Sequence, residues 1–543
     1  MKLKWKLQRT LIGALAATMM ITSMAVPAYA VNAPLHTVGN DPVIGQMGFF
    51  GGTATATRLP QTTERRIALG ETRARTRTGT LPPRPYREIV FLDGTPREFE
   101  GVLRITPQHM DADSRLGTLS NERYVVESSI GNDNDNVEVA RNIAFNINYR
   151  IEGNQVIRDY RVNTWLENIW VDGVEFILDP YLSEFVVSVI EDRRAAVTFY
   201  RGDISVRAVY VEDGEWDYEG ARRVVDDRWG SFYGFRSAWS AVETHRIDSI
   251  ITATGPFPED NWEMQVQMRP SASVSKSLQF AENEPTMISF LGNYREVMQT
   301  TSAMEWNIFH RPQQFSQYDD SGRMYIPTFN TFEQLIAPNL SFLRGHPAQA
   351  DITRLFSMQI LGGEPSHFRP DQAMTRGQFT TALVRAMNLP LPEQTPQSVR
   401  RRNVPVLLFP DVPSTRPEFP YIMAARNVGL AVGREDGQFH IDSPLDRQEA
   451  IALMVRALGL EDMGIFPASV TPFADDASVS PWARRELYVA EWIGLISGDD
   501  DGNIRPRDWL TNAEGAAIIN RFVEYMRFDL AMDYAEHIVN YAR

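Results

Sequence analysis

The chain has 543 residues, 54 Lys and Arg against 69 Asp and Glu, no cysteine, and a formal charge of −15. That length is too great for one hydrophobic core and implies two or three domains. The absence of cysteine excludes disulfide staples and thiol catalysis, and so acidic a chain is poorly suited to general nucleic-acid binding.

Residues 1–30 read as a signal peptide. Lys2, Lys4, Lys6 and Arg9 form a basic start, residues 11–26 are mostly apolar, and Ala28-Tyr29-Ala30 follows Pro27 with the small-x-small pattern of a cleavage site. The apolar run is short of the ~20 residues a span needs, and no later stretch reaches that length. The expected product is therefore secreted, without a transmembrane span, and carries −19 once those four cations are removed. Residues 31–85 are rich in Gly, Thr, Pro and Arg without sustained apolar periodicity, and read as a flexible leader.

Residues 86–312 have a β pattern. Asp93-Gly94, Gly153-Asn154, Asp172-Gly173 and Asp213-Gly214 are hairpin turn pairs between runs rich in Val, Ile, Tyr, Phe and Trp. Such spacing predicts many short strands in an all-β domain, sandwich- or barrel-like, rather than βαβ units. Trp165, Trp170, Trp216, Trp229, Trp239 and Trp262 are expected in its core. Residues 313–343 read as a linker.

The last two hundred residues turn helical and repeat themselves. The stretches 358–387, 428–458 and 493–523 each hold an apolar run ending at a glycine (Gly363, Gly433, Gly498), a polar turn, and then Phe368, Phe439 or Ile504. Eight residues on stand Arg376, Arg447 and Asn512, and nine beyond those Arg385, Arg456 and Arg521. Thr375-x-x-Gln378, Asp446-x-x-Glu449 and Thr511-x-x-Glu514 match the capping-box rule, which puts Arg376 and Arg447 at the first helical position. A cation beside the positive end of a helix dipole is disfavoured, so something negative should offset it, either a protein carboxylate or an anionic ligand.

These segments resemble the S-layer homology family. Phe409-Pro410-Asp411 and Phe473-Ala474-Asp475 match its opening F-x-D. Gly429 to Gly433 and Gly494 to Gly498 match its glycine-bounded turn, and the three capping boxes match its Thr-Arg-Ala-Glu box. The likeness runs from about residue 344 to 527. It implies a mostly α-helical, pseudo-threefold module of repeats at 344–390, 409–461 and 473–528, followed by a helical extension at 529–543. It also implies that grooves between repeats bind secondary cell-wall polysaccharide, often pyruvylated, in a peptidoglycan-associated wall or self-associating surface layer. Arg376, Arg447, Gly433, Gly498 and Trp482 are the residues expected at the polymer. The first segment departs from the pattern in lacking F-x-D and in having Gln359 for a glycine. The third has Asn512 for the box arginine, which predicts a weaker groove there.

A catalytic motif is not evident. The eight histidines form no H-E-x-x-H, and Gly230-Ser231-Phe232-Tyr233-Gly234 misplaces its serine for a nucleophile elbow. Glu184, Glu191 and Asp192 read as solvated strand ends rather than an acid–base pair. The acidic loops 132–136 and 499–503 do not complete a calcium motif. No cofactor or metal is expected. The reading is a multidomain surface protein with a wall anchor, against the alternative of a wall-anchored carbohydrate-active enzyme or carbohydrate-binding module in the β domain.

Overall fold

The computed structural model describes residues 52–54, 84–109, 119–128, 136–212, 221–281, 293–310, 321–335, 337–391, 409–434, 436–463 and 470–533. The expected signal segment, most of the leader, the Asp213-Gly214 turn with Trp216, and loop 132–136 except Asn136 lie outside the described residues. The described residues belong to one compact unit.

The first half of that unit is a single antiparallel sheet. Its strands are β1 (Gly52–Ala54), β2 (Arg84–Val90), β3 (Arg97–His109), β4 (Leu119–Ser128), β5 (Val137–Glu152), β6 (Gln155–Val171) and β7 (Val174–Leu178). They continue as β8 (Glu184–Arg193), β9 (Val197–Glu212), β10 (Arg223–Ser237), β11 (Ser240–Thr254), β12 (Trp262–Ala281), β13 (Asn293–His310) and β14 (Ser321–Gln334). Neighbours in sequence pair throughout, except that β7 and β8 share the place between β6 and β9. The sheet curls until β14 lies beside β2, where Arg87 Nη1 donates to the Tyr325 carbonyl at 3.1 Å. It is a barrel-like closed sheet.

The turn chemistry explains the meander. Asp172 and Gly173 both take positive φ, 50° and 85°, as a two-residue hairpin turn requires. Strand alternation sets the two faces: along β12, Trp262, Met264, Val266, Met268, Ala272 and Val274 are buried. The outward row of β9 reads Arg201, Asp203, Ser205, Arg207, a solvent-facing rather than a lipid-facing pattern. Among the described residues, no helix is long and apolar enough to cross a membrane.

The interior also holds charge. Arg141 bridges Glu88 and Glu167 with bonds of 2.6–2.9 Å, all three side chains being 3% exposed or less. Trp165 Nε1 donates to Glu167 at 2.7 Å and Tyr210 Oη at 3.0 Å, while Tyr86 donates to Glu88. Burial alone would raise Glu167, but the Arg141 guanidinium outweighs it and holds the carboxyl below its ordinary value.

The helical half comprises α1 (Gln349–Ser357), α2 (Arg376–Ala386), α3 (Phe419–Asn427), α4 (Arg447–Leu458), α5 (Arg484–Trp492), α6 (Asn512–Glu524) and α7 (Leu530–Asp533). A π-helical turn, Tyr525–Asp529, joins α6 to α7. The barrel docks on the C-terminal ends of α2, α4 and α6. Trp239 Nε1 donates to the Ala386 carbonyl at 2.8 Å, Ala196 N to Ala457 O at 2.8 Å, and Ser240 Oγ to Met526 O at 2.6 Å. Arg527 Nε adds a bond to Lys276 O at 2.9 Å. Ala196, Val197, Phe235 and Trp239 belong to the same hydrophobic core as the helices.

The structure revises several expectations. The strands are long, up to 20 residues in β12, because most of them pair with a neighbour along both edges. Gly202 lies mid-strand in β9, where a Cβ would sit 2.3 Å from the Phe232 ring, and Glu191, expected at a solvated strand end, is buried against Arg158 and Arg193. The leader contributes β1. The segment expected as a linker contains β14, and Leu335, Leu340 and Leu343 after it are buried in the helical core. Trp165, Trp239 and Trp262 are core residues, whereas Trp229 is 45% exposed and Trp170 half-buried.

Candidate functional site

The starts of α2, α4 and α6 share one geometry, passed from each segment to the next. The first two helical N–H groups donate to carbonyls of the next segment's turn. Arg376 and Gly377 reach Ser443 and Ile441, both at 2.9 Å; Arg447 and Gln448 reach Asp508 and Pro506, at 3.1 and 2.9 Å; Asn512 and Ala513 reach Gln372 and Pro370, at 2.8 and 2.9 Å. Short β-bridges link Thr375 to Pro444, Asp446 to Trp509, and Thr511 to Ala373. The three segments thus close a ring.

The third N–H of each helix is taken by its cap, from Gln378 to Thr375, Glu449 to Asp446 and Glu514 to Thr511. Gln378 and Glu514 return the bond to the cap's own N–H at 2.9 and 3.0 Å. Glu449 does not. Its cap is itself a carboxylate, and Glu449 turns instead to Arg376 at 3.4 Å and Arg434 at 3.0 Å.

The dipole argument asked for a negative partner beside each helix-start arginine, and the structure supplies one from the next segment. Arg376 lies against Glu449, donates to the Val432 carbonyl at 3.1 Å, and stands 5.0 Å from the Phe439 ring centroid. Arg447 pairs with Glu514 at 2.7 Å. Burial would raise Glu514, but the Thr511 N–H and Arg447 hold it below the usual carboxylate range. At the third junction the capping residue is neutral Gln378, and the helix-start residue is neutral Asn512, whose Nδ2 donates to Arg369 O at 2.8 Å. A charge-balance rule within the ring therefore accounts for the departure at Asn512. The side chains of Arg376 and Arg447 are 12% and 11% exposed.

The other expected residues divide between turn and rim. Gly433 and Gly498 sit in tight turns closed by Arg434 N to Gln438 O and Asp499 N to Asn503 O, at 2.8 and 2.9 Å. A Cβ at Gly498 would lie 2.8 Å from the Gly502 backbone, and one at Gly433 3.1 Å from Phe409. Trp482 is 49% exposed with the Arg456 guanidinium 6.0 Å above its ring, and Ser480 N donates to Gln448 beside Arg447. Arg385 binds Tyr421 Oη at 3.0 Å and Arg456 binds Glu486 at 2.6 Å, each on the next segment's first helix.

Sequence reasoning missed two features. Trp509, 59% exposed, flanks the Arg447 junction through its bridge to Asp446; its place two residues before a cap was the available signal. The F-x-D aspartates act as backbone clamps. Asp411 accepts from Phe439, His440 and Ile441 N–H at 2.8, 2.6 and 3.2 Å, and Asp475 from Ile504 and Arg505 at 2.9 and 2.8 Å. They hold His440 and Arg505 at φ 60° and 49°.

Gln359 takes φ 59° where Gly429 and Gly494 take 75° and 70°. Left-handed backbone costs a residue with a Cβ about 1–2 kcal/mol, so Gln359→Gly is expected to stabilise the protein by roughly 1 kcal/mol net of glycine's larger unfolded-state entropy. Urea denaturation at fixed slope checks this; an unchanged or lower midpoint would show that the site carries no strain.

The S-layer homology domain family matches residues 343–380 and 408–451, the first two of the three segments. The chain carries an S-layer homology domain. An endoglucanase of Bacillus sp. (strain KSM-635) is 25% identical over 31% of this chain and 17% of its own length. The Surface-layer 125 kDa protein of Lysinibacillus sphaericus is 26% identical over 30% and 13%, and a surface layer protein of Brevibacillus choshinensis 31% identical over 18% and 9%. The match thus spans less than a fifth of each of these relatives. With the S-layer homology domain, the surface-layer relatives indicate a secreted, cell-surface protein.

Proposed function

We propose that the S-layer homology region, counted as three repeats with the segment around α5 and α6 as the third, anchors the chain non-covalently to secondary cell-wall polysaccharide and displays the barrel at the cell surface. The observation carrying this reading is the placement of Arg376 and Arg447. Each stands at a seam between segments, paired to a carboxylate that an acidic sugar, such as a pyruvylated one, would replace. Exposed Trp509 and Trp482 flank the second seam and offer stacking faces for sugar rings. Asn512 makes the third seam the weakest. The barrel then serves a structural or interaction role, including self-association in a surface layer. In a second reading the barrel is carbohydrate-active or carbohydrate-binding, which fits an endoglucanase relative of which 17% is matched.

The test is retention of the full-length chain on native cell-wall sacculi, beside the Arg376→Ala/Arg447→Ala variant and beside sacculi stripped of their secondary polymer. Retention should fall at least about tenfold in both controls, the loss of two charge-assisted contacts. A folded variant that still binds native walls would move the site away from the two arginines. Equal retention on stripped walls would exclude the polymer.

A further inference from the structure

The outward face of the barrel carries charged side chains, Arg246 with Asp248 and Arg323 with Glu305 among them, but one row from β10 to β14 holds none. The register lines up Tyr233 on β10, Thr244 on β11, Ser271 on β12, Ala303 on β13 and Tyr325 on β14 in one row across the strands. Ser273 and Thr301 form the adjacent step, their hydroxyls 2.6 Å apart. Small side chains thus floor a trough with a tyrosine at each end. Tyr233 is 37% and Tyr325 54% exposed.

Backbone irregularities deepen it. Pro270 has no N–H to give, and the β11–β12 ladder lapses between the Thr244–Ser271 and Ile247–Met268 pairs. A register shift between Thr300 and Ser302 breaks the β13–β14 ladder alongside. A cavity of about 560 Å³ lies at the Tyr325 end of the row, lined by Glu243, Thr244, Ser271, Ser273, Thr301 and Tyr325 among others. Tyr325 is held in place: Arg323 Nη1 donates to its hydroxyl at 2.9 Å, with the guanidinium 5.7 Å from the ring, and Arg87 binds its carbonyl.

We propose that this trough binds an uncharged oligosaccharide strand laid across β10 to β14. Four inter-strand steps span about 19 Å, room for several hexose units end to end. The hydroxyl floor matches a ligand whose edges are hydroxyls, and two rings at the ends match its apolar sugar faces. An acidic polymer finds no cation among Thr244, Ser271, Ser273, Thr301 and Ala303 on the floor. The proposal deepens the reading of a wall-anchored chain, which would hold the trough among glycans, but it does not depend on Arg376 or Arg447.

The experiment is calorimetric titration of the full-length chain with hexasaccharides of β-1,4-linked glucose, β-1,4-linked N-acetylglucosamine and α-1,4-linked glucose. The Arg376→Ala/Arg447→Ala variant is titrated in parallel, so that the anchor and the trough fail separately. At least one hexasaccharide should bind saturably to both proteins. Tyr233→Ala/Tyr325→Ala should weaken it about tenfold or more, and Ser271→Arg, which fills the floor from a surface position, should abolish it, both with unchanged melting temperatures. Absence of binding by all three probes would overturn the proposal. So would binding that survives the tyrosine and Ser271 variants, or that disappears with the two arginines.

Discussion

Trp239→Ala is expected to destabilise the protein by about 3–5 kcal/mol, the range for emptying a buried tryptophan site, and to split its unfolding in two. The indole is 2% exposed, sits in the core shared by barrel and helices, and donates to the Ala386 carbonyl at the end of α2. Its loss leaves a cavity and an orphaned carbonyl at the same joint. Calorimetry of the wild type should then give one transition and the variant two, as barrel and helical ring uncouple. A single transition within about 2 °C of wild type would mean that the remaining contacts carry the joint.

The second large effect is expected inside the barrel. Arg141→Met removes the cation that two buried carboxylates share, and breaking such a pair costs about 3–5 kcal/mol. The variant should also gain a pH dependence. Without Arg141, burial raises the pKa of Glu167 above its unfolded value. Stability is then retained below the unfolded carboxylate range and lost as pH rises through the raised one. Chemical denaturation at pH 4 and pH 8 should therefore show the variant closer to wild type in acid. Adding Glu88→Gln and Glu167→Gln should recover most of the loss, since Gln still accepts from Tyr86, Trp165 and Tyr210. Failure of that rescue would place the damage in packing rather than charge.

The sequence revealed periodic features and hid relational ones. The turns at Gly94, Gly153 and Asp172-Gly173 were legible because positive φ has a residue signature. The caps at Thr375, Asp446 and Thr511 were legible because a helix start imposes local spacing. Arg141 was not, because its partners lie 53 and 26 residues away on other strands. Strand β14 was missed behind a segment without clear alternation. The polar trough left no sign at all, since Tyr233 and Tyr325 meet only through the register of five strands. Asn512 read as a defect until the ring put neutral Gln378 in the place that Glu449 and Glu514 occupy at the other seams.

The barrel touches α2, α4 and α6 at their C-terminal ends, whereas the seams lie at their N-terminal ends, roughly 16–20 Å away along the axes. Any pull between the displayed barrel and a polymer held at the seams would run lengthwise through three helices in parallel. Each would be loaded in tension along its hydrogen-bonded axis, and each attached to the barrel by its own backbone carbonyl. Such a joint distributes the load over three fastenings rather than one.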